Sequence, residues 1–567
     1  MNSYIQKARV RLYIAVFLGT LFFSCKTQES PDQNEKVTNQ VETKENETFR
    51  WGNANVYFLL TDRFANGSTT NDINFDRTRK TAKLRGFEGG DLIGIRKKIE
   101  EGYFTDLGVT AIWMTPIVEQ IHGAVDEGSG ATYGFHGYWA KDWTAIDPNF
   151  GTESDLQQLV DAAHAKGIRI LLDAVINHTG PVTENDPKWP DEWVRTDRVC
   201  TFDSFSNNVD CMLVHNLPDI RTESETAVAL PPQLVNKWKS EGRYEQEIKE
   251  LDDFFAKTGY PRAPKYYIIK WLTDYVRKFG IDGYRADTVK HIEPEVWQVF
   301  AKECDRAFTD WKTQHPEAVL DDTPFYLLGE VYNFGIQSPH AFDFGDRNFN
   351  YYQYGFEGMI NFDFKTNANQ SYEDLFSQYA AVVTDSLRSD QHIMNYASSH
   401  DDGQPFDKFR QKTMEAATKL LLTPGMVQLY YGEEVARSLD IPGTDGDATL
   451  RSIMGWNSSP VDSIQKLTEH YQKLGVFRKN HPAVGMGNHR KLQDSPYFFT
   501  RKWSDRQEMD QVLIGLDLNK GKKTIPIHDV FEEGEHLIDA YSGTEAQVKN
   551  QHIVLDTPFP TVLLEKK

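Results

Sequence analysis

The sequence predicts an α/β fold: a (β/α)8 TIM barrel with an inserted domain after strand 3 and a C-terminal antiparallel β-sandwich. Eight short apolar runs recur along the chain: NVYFLLTDR, AIWMTPI, RILLDAV, GYRADTV, FYLLGEV, MINFDF, IMNYASS and MVQLYYGEE. Unbroken runs of this kind suit strands buried on both faces of a parallel sheet. Most are separated by stretches with helical periodicity, such as SDLQQLVDAAHAKG before RILLDAV. Eight such units point to a closed barrel, and no GxGxxG follows a strand to favour an open dinucleotide-binding sheet. Between DAVINH and GYRADTV lie roughly a hundred residues, too many for a simple crossover. Residues 178–260 therefore read as an inserted domain, ahead of the helix KYYIIKWLTDYVRKFG. Residues 49–177 and 261–481 read as the barrel. Beyond LTEHYQKLGVFRKN the pattern changes to alternating runs, YFFTRKW, QVLIGLDL and TVLLEKK, which read as a small β domain over 482–567.

A chain of 567 residues with 39% hydrophobic and 26% charged residues has the composition of a globular, multidomain protein. Its formal charge of −21 argues against a nucleic-acid partner, which needs clustered Lys and Arg. The same charge is compatible with a neutral substrate or with bound cations. Lys7, Arg9 and Arg11 precede the apolar run Leu12–Phe23, which is too short for a comfortable membrane span and reads as a secretory segment. It ends in FFSC, which resembles a bacterial lipobox. Residues 1–24 would then be a lipoprotein signal peptide, and a lipidated Cys25 would anchor the exported chain to the cell envelope. The outer membrane is the expected location, with the chain facing the periplasm or the surface; plain secretion is the alternative. Residues 25–48, polar and nearly without apolar side chains, read as a disordered tether. In an oxidising compartment Cys200 and Cys211 are candidates for a loop disulfide, whereas Cys304 lies in a helical stretch and reads as a buried thiol. A monomer is expected.

Catalytic groups of such barrels sit at the C-terminal ends of strands. Strand 3 ends in Asp173 and Asn177–His178, strand 4 in Arg285 and Asp287, strand 5 in Glu330 and strand 7 in His400–Asp401. Carboxylates converging on one mouth raise one another's pKa, so that one stays protonated while another stays ionised. Arg285, two residues before Asp287 on the same strand face, favours the ionised form there. Paired carboxyls of unequal pKa are what glycoside hydrolysis requires.

DAVINH, GYRADTVKH, GEVY and SSHD stand in the order and positions of four signature regions, and through them the chain resembles glycoside hydrolase family 13, the α-amylase family. LPDI at Leu217–Ile220 resembles a further signature in that family's inserted domain. EQIHG at 119–123 and PEAVLDDTPFYLLGEV continue a resemblance that covers about Val56 to Pro482. It implies Asp287 as nucleophile, Glu330 as acid/base and Asp401 as the third acid. It also implies Tyr138 as a stacking platform, His178 and His400 as sugar ligands, Arg285 within the substrate site, and Lys290 and His291 flanking the leaving-group side. A Ca2+ at Asn177, Asp219 and the carbonyl of His291 is implied, and a second at Asn66, Asn71, Asp72, Gly89 and Asp91. The implied reaction is retaining hydrolysis of α-1,4-glucosidic bonds in starch, glycogen or malto-oligosaccharides. A glucanotransferase, a maltogenic exo-amylase and a non-catalytic glucan-binding lipoprotein are the alternatives.

Overall fold

The computed structural model describes residues 48–456, 461–506 and 508–567. Cys25, the signal peptide and nearly all of the tether expected at the N-terminus lie outside these residues. Eight parallel strands close into a barrel in sequential order: β1 Asn55–Leu59, β2 Ala111–Met114, β3 Arg169–Ala174, β4 Gly283–Ala286, β5 Tyr326–Gly329, β6 Gly358–Asn361, β7 His392–Tyr396 and β8 Met426–Tyr430. Six fall within one of the eight apolar runs, β6 and β7 begin one residue before theirs, and each is buried over nearly its whole length. Burial on both faces is why they read as continuous rather than alternating.

Helices α1 Leu92–Glu100, α2 Glu153–His164, α3 Pro264–Phe279, α4 Pro294–Gln314, α5 Tyr372–Ala381, α6 Thr413–Leu422 and α7 Asp462–Asn480 surround the barrel. Their ends follow local chemistry. Thr152 and Asp155 form a reciprocal capping box at the start of α2. Pro264 opens α3, where its missing N–H costs nothing. Gly280 closes α3 in the left-handed conformation, and a Cβ there would lie 2.0 Å from the Trp311 ring, so no other residue fits. The β5–β6 connection departs from the helical pattern. It holds a hairpin, Phe342–Asp343 with Asn348–Phe349, and a 3-10 turn at Tyr351–Tyr354.

The interval after β3 begins by extending that strand. Ile220 N donates to the Asn177 carbonyl at 2.8 Å and Thr179 N to that of Pro218 at 3.1 Å. Val194–Arg195 pairs antiparallel with Asp219–Ile220, and the loop between these arms is closed by a Cys200–Cys211 disulfide. Helices at Pro232–Ser240 and Tyr244–Thr258 follow, with Trp238 fully buried beside Trp271 of α3. Cys304 is a buried free thiol, as its helical setting suggested.

At the C-terminus β9 Asn488–Gln493, β10 Tyr497–Ser504, β11 Met509–Leu516, β12 Gly521–Pro526, β13 His536–Asp539, β14 Thr544–Gln547, β15 His552–Thr557 and β16 Val562–Lys566 form two antiparallel sheets. Their orders are β9-β10-β11-β16-β13-β14 and β12-β15. Phe498, Leu513, Ile525, Leu537, Ile553 and Leu564 share one core between them. Two fully buried arginines stand where this part meets the barrel, and the second fastens it there. Arg478 of α7 donates to the carbonyls of Leu421, Thr423 and Gly425, and Arg501 of β10 to those of Leu422 and Val484. These are largely the orphan carbonyls at the negative end of α6, where a cation is favoured.

His481 joins the same junction, between Asp510 at 2.9 Å and Glu565. Burial disfavours its charged form, but the two carboxylates outweigh burial and push its pKa up to about 9. A raised folded-state pKa adds stability that is complete below the unfolded value near 6.5 and is lost as pH rises through 9. The melting temperature is therefore expected to fall between pH 6.5 and 9, and His481→Gln is expected to remove that component of the slope. A slope unchanged in the variant would show that the junction's charge is carried elsewhere.

Candidate active site

Strand register places the charges. Asp173 on β3 and Arg285 on β4 are direct register partners, so both side chains enter the barrel at one level. Asp287 follows β4 and Glu330 follows β5, each at the C-terminal end of its strand. The Arg285 guanidinium is 1% exposed. Its Nη1 donates to Asp173 Oδ1 and Oδ2 at 2.9 and 3.1 Å and to Asp287 Oδ1 at 2.7 Å. Its Nη2 lies 3.2 Å from Glu330 Oε2, which also accepts the backbone N–H of Thr288 at 2.8 Å. One planar cation thus holds three carboxyl groups from three adjacent strands.

Asp173 is the hinge of this arrangement. Besides Arg285 it accepts from Trp113 Nε1 at 3.1 Å and Tyr138 O–H at 2.9 Å. Burial pushes its carboxyl up to about 7 against the opposing pull of Arg285. Burial likewise pushes Glu330 up to about 8, with Arg285 opposing and Asp287 and Asp401 adding to the rise. Glu330 is therefore largely protonated at neutral pH.

These groups open into one cleft of about 670 Å3. Of the residues singled out from sequence, Tyr138, His178, Asp287, Lys290, His291, Glu330, His400 and Asp401 line it. Arg285 lies beneath, positioning the carboxyls. Tyr138 stacks on His400 at 5.4 Å and on His136 at 5.8 Å between ring centroids. His178 Nε2 donates to the Tyr138 carbonyl at 3.1 Å. Burial lowers the pKa of His178, of His400 and of His291, the last to about 4, so all three imidazoles are neutral hydrogen-bonding groups at pH 7. Lys290 Nζ sits 5.2 Å from the Tyr332 ring, 5.8 Å from Phe342 and 6.0 Å from Phe202.

Several lining residues escape a reading of strand ends. Phe202 and Tyr332 are half exposed on one side of the cleft. Phe202 comes from the disulfide loop and packs edge-on to His291. Asp447 and Arg451 come from the irregular segment after β8. Arg451 Nε donates to the His400 carbonyl at 2.9 Å, and its Nη2 pairs with Asp447 at 2.6 Å. No periodic pattern marks that segment; only its charges could have drawn attention.

The residues expected to hold cations fall in two places. Asn66, Asn71, Asp72, Gly89 and Asp91 are gathered together. Asn66 Nδ2 donates to Asp72 Oδ1 at 2.9 Å, and a Cβ on Gly89 would meet both side chains. Asp91 accepts from Gly67 N, Ser68 N and Gly94 N, and caps α1. Asn71 Oδ1 is buried without a hydrogen-bond partner. Asn177 and Asp219 lie together at the root of the inserted segment, where Ile220 N donates to the Asn177 carbonyl, and the His291 ring bonds the Asn208 carbonyl of that segment; Asp219 Oδ2 lies 2.8 Å from Arg195 Nε but is buried without a hydrogen-bond partner. A separate acidic group, Asp210, Glu223 and Glu293, is close enough to share a metal ion.

A family model for the α-amylase catalytic domain matches residues 58–439. The chain belongs to the α-amylase family. It is a glycoside hydrolase. Over 533 residues it is 34% identical to the periplasmic α-amylase of Escherichia coli (strain K12), a match that covers 84% of this chain and 73% of that protein. It is 30% identical over 483 residues to the cyclomaltodextrin glucanotransferase of Geobacillus stearothermophilus, covering 82% of this chain but only 59% of that enzyme. Among solved structures, an Anoxybacillus α-amylase shares the fold at a TM-score of 0.62 and 23% identity, over 92% of this chain and 99% of the other.

Two outcomes follow from the charge arrangement. Glu330 loses its proton above about pH 8, so if it is the general acid, kcat/KM on a maltodextrin is expected to fall about tenfold per pH unit beyond 8. A flat profile to pH 10 would remove Glu330 from the role of acid. Arg285→Lys keeps the charge but offers a single ammonium that cannot span three carboxyls. It is expected to lower kcat by about 10²-fold or more, with the folded circular-dichroism spectrum retained.

Proposed function

We propose that the chain is an exported retaining α-glucan hydrolase that cleaves α-1,4-glucosidic bonds, with Asp287 as nucleophile and Glu330 as acid/base. The observation that carries this reading is the single buried guanidinium joining Asp173, Asp287 and Glu330 at the cleft floor, with Glu330 held protonated. The Glu330 proton passes to the glycosidic oxygen as the bond from that oxygen to the anomeric carbon breaks. An Asp287 carboxylate oxygen bonds to the same carbon. Glu330, now a carboxylate, then takes a proton from water, whose oxygen displaces Asp287. Asp401, lining the cleft beside them, is placed to bind sugar hydroxyls and to stabilise the positive charge on the ring. The Tyr138 ring suits the apolar face of a pyranose, and neutral His178 and His400 suit its hydroxyls.

Export accords with the N-terminal basic and apolar run, with the disulfide, and with the periplasmic location in the name of the Escherichia coli relative. A glucanotransferase is the second reading. It draws on the glucanotransferases among the relatives and on Phe202 and Tyr332, which offer aromatic faces to a sugar acceptor beside Lys290. The loop of Asn66, Asn71, Asp72, Gly89 and Asp91 suits Ca2+, since its donors are hard oxygens and the unpartnered Asn71 Oδ1 is one of them. A cation there would tie the loop to the start of α1 and has no part in bond cleavage.

Product analysis by NMR on starch and defined maltodextrins tests the reading. The first product is expected as the α-anomer, with release of reducing ends, and Asp287→Asn is expected to lose about 10³-fold or more of the activity. An initial β-anomer would defeat the mechanism. Longer saccharides formed at the expense of free reducing ends would favour the transferase.

A further inference from the structure

Two excursions of the chain touch one another beside the cleft. The disulfide loop leaves the barrel after β3, the 3-10 turn Val289–His291 follows β4, and the hairpin Phe342–Asp343 with Asn348–Phe349 comes after β5. Strand order therefore sets Lys290 between the loop and the β5–β6 connection. Its Nζ lies 6.0 Å from the Phe202 ring of the loop, and 5.2 and 5.8 Å from the Tyr332 and Phe342 rings of the connection. Three residues along the loop, Phe205 meets the hairpin directly. Its ring centroid is 5.2 Å from that of Phe344 and 5.0 Å from that of Phe349, with the Arg347 guanidinium 5.0 Å away. Its backbone N–H donates to Asp346 Oδ1 at 2.8 Å. Phe344 packs in turn on Phe342 at 5.2 Å, so a row of rings runs from Phe205 to the surroundings of Lys290.

The loop is braced from within. Besides the disulfide, Asp203 Oδ1 accepts from the Thr201 hydroxyl at 3.0 Å and from Asn207 Nδ2 at 2.7 Å, and Arg198 donates to the carbonyls of Ser206 and Asp210, both at 2.9 Å. A braced loop moves as a unit, so the contacts that hold Phe205 also hold Phe202. Phe202 stands at φ 61°, in the left-handed region that bulky side chains rarely adopt. Such a conformation persists where the surrounding contacts over-determine it, and it gathers at ligand sites. Here it leaves an apolar ring half exposed in the cleft wall, edge-on to His291. We propose that the disulfide loop and the β5–β6 hairpin form one clamp, closed by Phe205 on the hairpin, that positions Phe202 and Tyr332 as aromatic contacts for the sugar beyond the cleaved bond. This role rests on the glycosidase reading of the cleft: the sugar concerned leaves on cleavage or, in transfer, arrives as acceptor. Phe205 and Asp346 lie outside the cleft lining and are positioning residues. Loosening them weakens the hold on that sugar while leaving Asp287, Glu330 and Arg285 as they are, since no hydrogen bond joins the two sets.

Two substrates separate the clamp from the bond chemistry. α-Maltotriosyl fluoride carries no sugar on the leaving-group side, whereas maltoheptaose does. Phe205→Ala is expected to keep kcat for fluoride release within about twofold and to raise KM for maltoheptaose about tenfold, the size of a lost ring contact. The share of glycosyl groups passed to added maltose rather than to water is expected to fall by a similar factor. Phe205→Tyr keeps the ring and is expected to restore both values. Asp346→Ala, at an exposed position, gives the same test by a smaller change should Phe205→Ala fail to fold, with the same directions expected. Variants whose KM for maltoheptaose and transfer share match those of the unaltered chain would overturn the clamp, as would an equal loss on both substrates. An unaltered chain that releases no fluoride would instead overturn the glycosidase reading, and the clamp's role with it.

Discussion

The structure depends on one buried ion cluster. Closing eight parallel strands brings the acids at their ends to one mouth, and two carboxylates 4 Å apart repel by about 4 kcal/mol at an effective dielectric of 20. Arg285 offsets that repulsion for Asp173 and Asp287 together, and Glu330 avoids the remainder by keeping its proton. The geometry is not free to adjust, because Asp173 is fixed in turn by Trp113 and Tyr138, and Tyr138 also lines the cleft. Charge balance, acid strength and the position of the Tyr138 ring in the cleft are therefore set by the same few hydrogen bonds. Loosening any one of them changes the others.

That dependence explains which parts were legible in the sequence. The barrel strands could be read because burial on both faces leaves uninterrupted apolar runs, and the acids at their ends could be read because a strand end is a defined position. RILLDAV and GYRADTV hold both members of the Asp173–Arg285 pair, but only the β3–β4 register shows that they are opposite one another. The disulfide was open to reading because Cys200 and Cys211 stand close together in one loop. Arg451 and Asp447 were not, since their segment has no period and their partners, the His400 carbonyl and Arg85, are distant in sequence. The β5–β6 hairpin is illegible for a similar reason: a two-residue pairing such as Phe342–Asp343 with Asn348–Phe349 leaves no alternation to detect.

The buried cations of this chain form a pattern that local sequence also conceals. Arg285, Arg195, Arg478 and Arg501 each join segments distant in sequence, and each works through the planar fan of donors that a lysine lacks. Among the described residues neither Arg478 nor Arg501 has an ion pair with a carboxylate; their hydrogen bonds go to backbone carbonyls, largely those at the negative end of α6. The composition contains no trace of this, because a net charge of −21 counts exposed acids and buried arginines alike. Long-range clamps of this kind become visible only when the partner's position in space is known.

The same contrast separates bond chemistry from chain-length selection. Asp287 and Glu330 are held by strand register and a buried guanidinium, so their placement follows from the barrel itself. Phe202, Tyr332, Phe342 and Arg451 come from three different connections, after β3, β5 and β8, and each connection is held by its own device: a disulfide and Arg195, a short hairpin, an Asp447 pair. Half-exposed rings on such connections can shift by an ångström without disturbing the ion cluster, because no hydrogen bond links them to Arg285. On the proposed mechanism, how many sugars the cleft holds, and whether water or a sugar hydroxyl takes the glycosyl group, would be decided by parts of the chain that the ion cluster does not constrain. Two chains with the same strand ends can therefore share one mechanism and differ in product, as the α-amylases and glucanotransferases matched by this chain do in name.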